Sequence, residues 1–185
     1  INLKNKKILV TGGGGFLGGF VLEKLLQKDV SKKNIILPRS KNYDLRERKA
    51  CDNLVKGIDI VIHLAGTIGG MTFNRDCPAE VFYDNAVMAL NLIDASYKAG
   101  VKKFVGIGSV CSYPEVIKVP IREKDLWLGY PEKINAPYGL AKKMMLVQSQ
   151  AYRQQYNFNC IHLLMINLYG PRDNFNPLKS HVVPA

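Results

Sequence analysis

Residues 7–18, Lys7-Ile8-Leu9-Val10-Thr11-Gly12-Gly13-Gly14-Gly15-Phe16-Leu17-Gly18, decide how the rest of the chain is read. The apolar run Ile8-Leu9-Val10 suits a strand buried on both faces. It runs straight into a glycine cluster of the pattern T-G-x-x-G-x-x-G, filled by Thr11, Gly12, Gly15 and Gly18. The first glycine permits a tight turn, the second lets backbone approach a pyrophosphate, and the third lets the next helix pack close on the strand. That helix, expected over residues 16–28, offers unpaired N–H groups and the positive end of its dipole to phosphate. A dinucleotide cradle is therefore expected across Gly12, Gly13, Gly14, Gly15, Phe16, Leu17 and Gly18. Glycine-rich turns occur in many folds. Placement between a first strand and a first helix gives this one its meaning.

Beyond the turn, apolar runs alternate with segments of helical period. Strands are predicted over residues 7–10, 34–37, 58–63, 103–107 and 159–166, and helices over 16–28, 43–56, 79–99 and 137–156. Gly100 is placed to stop the third helix, and Asn135 and Pro137 to start the fourth. Continuous apolar strands separated by helices predict a doubly wound parallel α/β sheet with both faces covered. Ligands of such sheets collect at the carboxyl ends of the strands. Residues 12–18, 65–70, 109–111 and 167–169 each follow a strand. The expected organisation is a dinucleotide-binding domain over 1–166. A loop over 167–185 then leads toward a truncated or missing substrate region.

Composition narrows the classes. A chain of 185 residues with 47% hydrophobic and 22% charged residues is globular rather than disordered. No apolar stretch has membrane-spanning length, and no basic-then-apolar leader opens the chain, so no membrane partner is expected. The four cysteines, Cys51, Cys77, Cys111 and Cys160, show no metal-ligand spacing. Free thiols point to the reducing cytoplasm. The net charge of +11 is carried largely by scattered lysine pairs without interleaved aromatics, so no nucleic acid partner is expected. A positive field still favours an anionic ligand.

Two further constellations carry chemistry. The end of the second strand lacks the acidic residue that holds a ribose 2′-hydroxyl and reads Leu37-Pro38-Arg39-Ser40-Lys41 instead. Arg39 and Ser40 suit a 2′-phosphate, which favours NADP(H), with NAD(H) as the alternative; Asp44 is placed to reach the adenine. Tyr138 and Lys142 lie one turn apart on one helix face. A lysine beneath a tyrosine lowers the phenol's pKa, so Tyr138 can exchange a proton with a carbonyl oxygen. Ser109 is placed to hydrogen-bond that oxygen. Tyr-x-x-x-Lys is common on ordinary helices, but this one follows Gly108-Ser109 and precedes a fifth strand.

Through residues 11–18, His63-Leu64-Ala65-Gly66, Ser109 and residues 138–142, the chain resembles the extended short-chain dehydrogenase/reductase family of nucleotide-sugar enzymes. Two segments, residues 108–114 and 167–175 continuing to Ser180-His181-Val182-Val183-Pro184, resemble its GDP-4-keto-6-deoxymannose epimerase-reductases. The resemblance implies a catalytic group of Ser109, Tyr138 and Lys142. It also implies a proton-exchanging pair, Cys111 and His181, acting at the carbons beside the ketone. If the backbone stays extended past the fourth strand, Ser109 and Cys111 point the same way. Ala65, Gly66, Ile107, Gly108, Lys142, Met165, Asn167 and Leu168 complete the implied cofactor lining. The implied partners are a nucleotide-sugar and a second copy of the chain, paired through the third and fourth helices. Other 4-epimerases or dehydratases of the family remain alternatives, as does a non-catalytic nucleotide-sensing module. Val110 and Ser112 depart from the family's usual small hydroxyl and larger apolar residues. His63 reads as structural or as lining the cofactor cleft, and His162 as packing.

Overall fold

A computed structural model describes residues 2–173 and 175. Five strands form one sheet: β1 (Ile8–Thr11), β2 (Ile35–Ile36), β3 (Ile60–His63), β4 (Lys103–Ser109) and β5 (Cys160–Met165). All pairings are parallel, in the order β2-β1-β3-β4-β5. The chain winds outward from β1 to β2, then crosses back to β3. The topological switch therefore falls between β1 and β3, where a crevice opens past their carboxyl ends. This is the predicted doubly wound sheet.

Alternation along the strands divides the core. Leu9 on β1, Val61 on β3 and Phe104 on β4 are fully buried and face α2 (Arg48–Leu54), α4 (Pro78–Lys98) and α5 (Ala136–Tyr156). Their partners there include Leu54, Leu92, Ile93 and Met145. Ile8, Val10 and Ile60 point to the other face and pack with Leu25 of α1 (Phe16–Gln27). Asp94 on α4 ties that layer together, accepting from Tyr152 on α5 at 2.7 Å and pairing with Lys98 and Arg48. Burial pushes its carboxyl up, but those hydrogen bonds outweigh it and hold the pKa down at about 2. Among the described residues, no helix is long and apolar enough to cross a membrane.

The departures from expectation are local. The second helix starts at Arg48 rather than near Tyr43, because Asp44 caps its own turn by accepting from Arg46 N–H at 3.0 Å. A short helix, α3 (Met71–Asp76), precedes α4 and shares Cys77 with it as a junction. Gly100 ends α4 with φ +72°, as expected. Asn135 precedes α5, but its side chain caps nothing. Its Oδ1 accepts from Asn74, and its backbone N–H and Nδ2 both donate to Glu132.

Candidate active site

The crevice is a cleft of about 1020 Å³ whose walls are the strand-end loops. One end is the glycine turn. Gly12 has φ +70°, and a Cβ there would lie 2.7 Å from Ala65 N, so only glycine lets the β1 and β3 loops touch. Thr11 and His63 lock that contact from below: Thr11 Oγ1 and His63 Nδ1 share a hydrogen bond at 2.8 Å, and Ala65 N–H donates to Thr11 Oγ1 at 3.3 Å. Gly15 begins α1 in extended conformation with no side-chain cap, which leaves the first helical N–H groups to a ligand. Gly12, Gly14, Gly15, Phe16, Leu17 and Gly18 line the cleft. Gly13 does not: it is buried, and its hydrogen points at the Leu37 side chain beside β2.

The arm beyond β2 is basic. Arg39 and Ser40 line the cleft, and the Arg39 guanidinium lies directly against Gly14. Asp44 shares this wall, but Arg46 engages its carboxylate at 2.7 Å and also reaches Asp84 at 3.2 Å. The acidic group near the arm is thus already neutralised.

The other end carries the titratable side chains Cys111 and Tyr138. Ser109, Cys111 and Tyr138 line the same cleft as the glycine turn. The backbone does not stay extended past β4, as expected from sequence; it coils into a 3-10 turn over Val110–Ser112. Ser109 caps that turn, its Oγ accepting from Cys111 N–H at 3.1 Å. Both side chains reach the cleft by this route. Lys142 Nζ sits 5.5 Å from the centroid of the Tyr138 ring, beneath the cleft floor. Burial drops the Lys142 pKa to about 8. Burial, and then the neighbouring Cys111, pushes the Tyr138 phenol up to about 12. The expected depression of the phenol by the lysine is not found, and Tyr138 stands as a protonated donor. Burial and then Lys142 drop His63 to about 3 and His162 to about 4, so both imidazoles stay neutral.

Ala65, Gly66, Ile107, Gly108, Met165, Asn167 and Leu168 line the cleft; Lys142, expected among them, does not, because it is buried beneath the cleft floor. His181 lies outside the described residues. Two contributors escaped the sequence reading. Asn85 is buried on α4 and donates from Nδ2 to Thr67 O at 2.8 Å and Val81 O at 2.7 Å. Its Oδ1 has no partner among the described residues and faces Gly66, with Lys142 Nζ nearby. An amide among the apolar residues of a buried helix face was the available signal. Arg172 pins the segment after β5 to α1 by a bidentate contact with Glu23 (2.6 and 3.2 Å) and by lying 4.2 Å from the Phe20 ring centroid.

Unpaired N–H groups at the start of α1 thus open onto the same crevice as a protonated phenol, at the switch point of a Rossmann-like sheet. The chain belongs to the NAD dependent epimerase/dehydratase family, whose pattern matches residues 8–185. GDP-L-fucose synthase of Sinorhizobium fredii is 37% identical over 185 residues, 99% of this chain and 58% of that protein. The structure of a GDP-mannoheptose C4 reductase from Campylobacter jejuni with NADP bound superposes with a TM-score of 0.91 at 31% identity, covering 98% of this chain and 54% of the other. A GDP-L-fucose synthetase from Naegleria fowleri bound to NADP gives 0.82 at 32% identity, with 98% and 56% covered. The chain spans little more than half the length of these relatives.

Proposed function

We propose that the protein carrying this chain is an NADP-dependent epimerase-reductase converting GDP-4-keto-6-deoxy-D-mannose to GDP-L-fucose. The observation that carries the reading is that Ser109, Cys111 and Tyr138 face the same cleft as the glycine turn. Similarity to GDP-L-fucose synthases supports the sugar. The basic arm and the NADP-bound neighbours support NADP over NAD.

The residues present fit the cofactor. The turn from Gly12 to Gly18 presents backbone to the pyrophosphate, Arg39 and Ser40 take the 2′-phosphate, and Lys142 is set to hold the nicotinamide ribose. When bound, NADPH supplies the hydride. Every other step falls to the chain. Ser109 accepts a hydrogen bond from Cys111 N–H, so its own hydroxyl proton is free for the ketone oxygen. Tyr138, protonated at neutral pH, delivers a proton to that oxygen, and the Lys142 ammonium steadies the phenolate left behind. Cys111 removes the acidic proton beside the ketone, and His181 returns one from the opposite face.

Full-length protein mixed with NADPH and the keto-sugar nucleotide in deuterated water tests the reading. Net loss of NADPH absorbance and deuterium at both carbons flanking the ketone are expected. Turnover without net NADPH loss would make it a 4-epimerase instead. The exposed apolar residues Phe82, Tyr83 and Leu90 of α4 and Val147 of α5 support pairing of two copies through these helices. Free thiols at all four cysteines support a cytoplasmic location.

A further inference from the structure

The contact between the turn after β4 and the start of α5 is unusually close. Gly139, directly after Tyr138, is buried at the fourth residue of α5, where glycine is worse than alanine by about 1 kcal/mol. The packing explains its presence. A Cβ at Gly139 would fall on the carbonyl oxygen of Cys111, 2.8 Å from that residue's carbonyl carbon and 3.2 Å from Ser112 Cα. Ser112, only 1% exposed, donates from Oγ to Gly139 O at 2.9 Å. A missing side chain and a buried hydroxyl therefore seat one backbone on the other. The residues on either side of this seat are Cys111 and Tyr138, both facing the cleft.

We propose that Ser112 and Gly139 are positioning residues that set where the Cys111 thiol stands relative to the Tyr138 phenol. The inference rests on the epimerase-reductase reading for its consequence in turnover, but the placement itself is a property of the fold. In that reading one ketone must meet both groups: the phenol at its oxygen and the thiol at the hydrogen on the adjacent carbon. A shift of the turn misaligns the second without disturbing the cofactor cradle, which is built from β1 and α1.

The test uses full-length protein saturated with NADP+ and the variants Ser112→Ala and Gly139→Ala. Iodoacetamide alkylation of Cys111 is followed by mass spectrometry against Cys77 as the internal reference, across pH 6–9 in steps of about one unit. Both variants are expected to change the Cys111-to-Cys77 rate ratio by about fivefold, the equivalent of one hydrogen bond. Deuterium uptake beside the ketone is expected to fall by about tenfold or more, with NADPH affinity within about twofold. Unchanged alkylation ratio and unchanged exchange in a folded Ser112→Ala protein overturn the proposal, whether or not Gly139→Ala folds. If the parent protein exchanges no proton in any keto-sugar nucleotide, the functional reading falls, and the alkylation ratio alone decides the positioning role.

Discussion

Two neighbouring glycines in α1 stand in different surroundings, and alanine at each is expected to act with opposite sign. A Cβ at Gly18 would lie 2.5 Å from Gly13 Cα, 2.6 Å from the Gly13 carbonyl carbon, and on the Gly12 carbonyl oxygen. These are backbone atoms of the phosphate turn, so relief requires the helix or the turn to move. One residue on, a Cβ at Gly19 meets nothing within 4 Å among the described residues. Helix propensity favours both substitutions by up to about 1 kcal/mol. That gain is common to the pair, so the difference between the variants isolates the overlap, about 1–3 kcal/mol for overpacking a filled site. Gly19→Ala should therefore raise the melting temperature by about 1–4 °C. Gly18→Ala should lower it, and should weaken NADPH binding by about tenfold or more through loss of a charge-assisted hydrogen bond from the turn. Thermal denaturation and fluorescence titration of the same two proteins measure both quantities. Equal stability shifts with equal NADPH affinities would refute the reasoning, because propensity alone would then govern both sites.

Other perturbations probe the remaining parts of the cleft. Lys142 has its pKa lowered from 10.5 to about 8 by burial, so the folded state releases its proton before the unfolded chain does. Its penalty is full below pH 8 and fades as pH rises toward 10.5. Lys142→Met should accordingly be more stable than the parent at pH 7, by up to about 3 kcal/mol, with the gap closing between pH 8 and 10.5 in parallel urea titrations. Thr11→Val leaves His63 Nδ1 and Ala65 N–H without the partner they share, and should cost about 1–3 kcal/mol in the same assay. Arg39→Ala removes the guanidinium from the arm beside Gly14. It should weaken NADPH by about tenfold or more and leave NADH nearly unchanged in a paired titration. Equal losses for both cofactors would remove Arg39 from 2′-phosphate recognition.

How far the sequence could be read depended on the kind of interaction involved. Strand runs and the glycine turn are local patterns, and β1, β3, β4, β5, α1, α4 and α5 stand within a few residues of expectation. α3 was invisible because six residues give no periodic signal, and Pro78 hides its junction with α4. Most of the residues that line the cleft were legible, since strand ends gather at one rim, but Gly13 and Lys142 do not reach it and His181 lies outside the described residues. The electrostatics of the site were not legible. The rise of Tyr138 and the fall of Lys142 come from burial, which no spacing reveals. Gly13 shows the same limit, being part of the motif yet turned toward Leu37 rather than the cleft. Asn85 and the seat between Ser112 and Gly139 are long-range contacts, readable only once α4 and α5 are packed on the sheet.

On the proposed reading, the glycine turn and the Tyr138 phenol serve one bound dinucleotide. Carbon-13 labelling of the tyrosine Cζ positions, with Tyr138→Phe to assign the signal, reads this in a single titration with NADP+. The Tyr138 resonance is expected to move as the cofactor saturates, while those of Tyr152 and Tyr156 on the far end of α5 stay in place. Saturation with no movement at Tyr138 would contradict that reading.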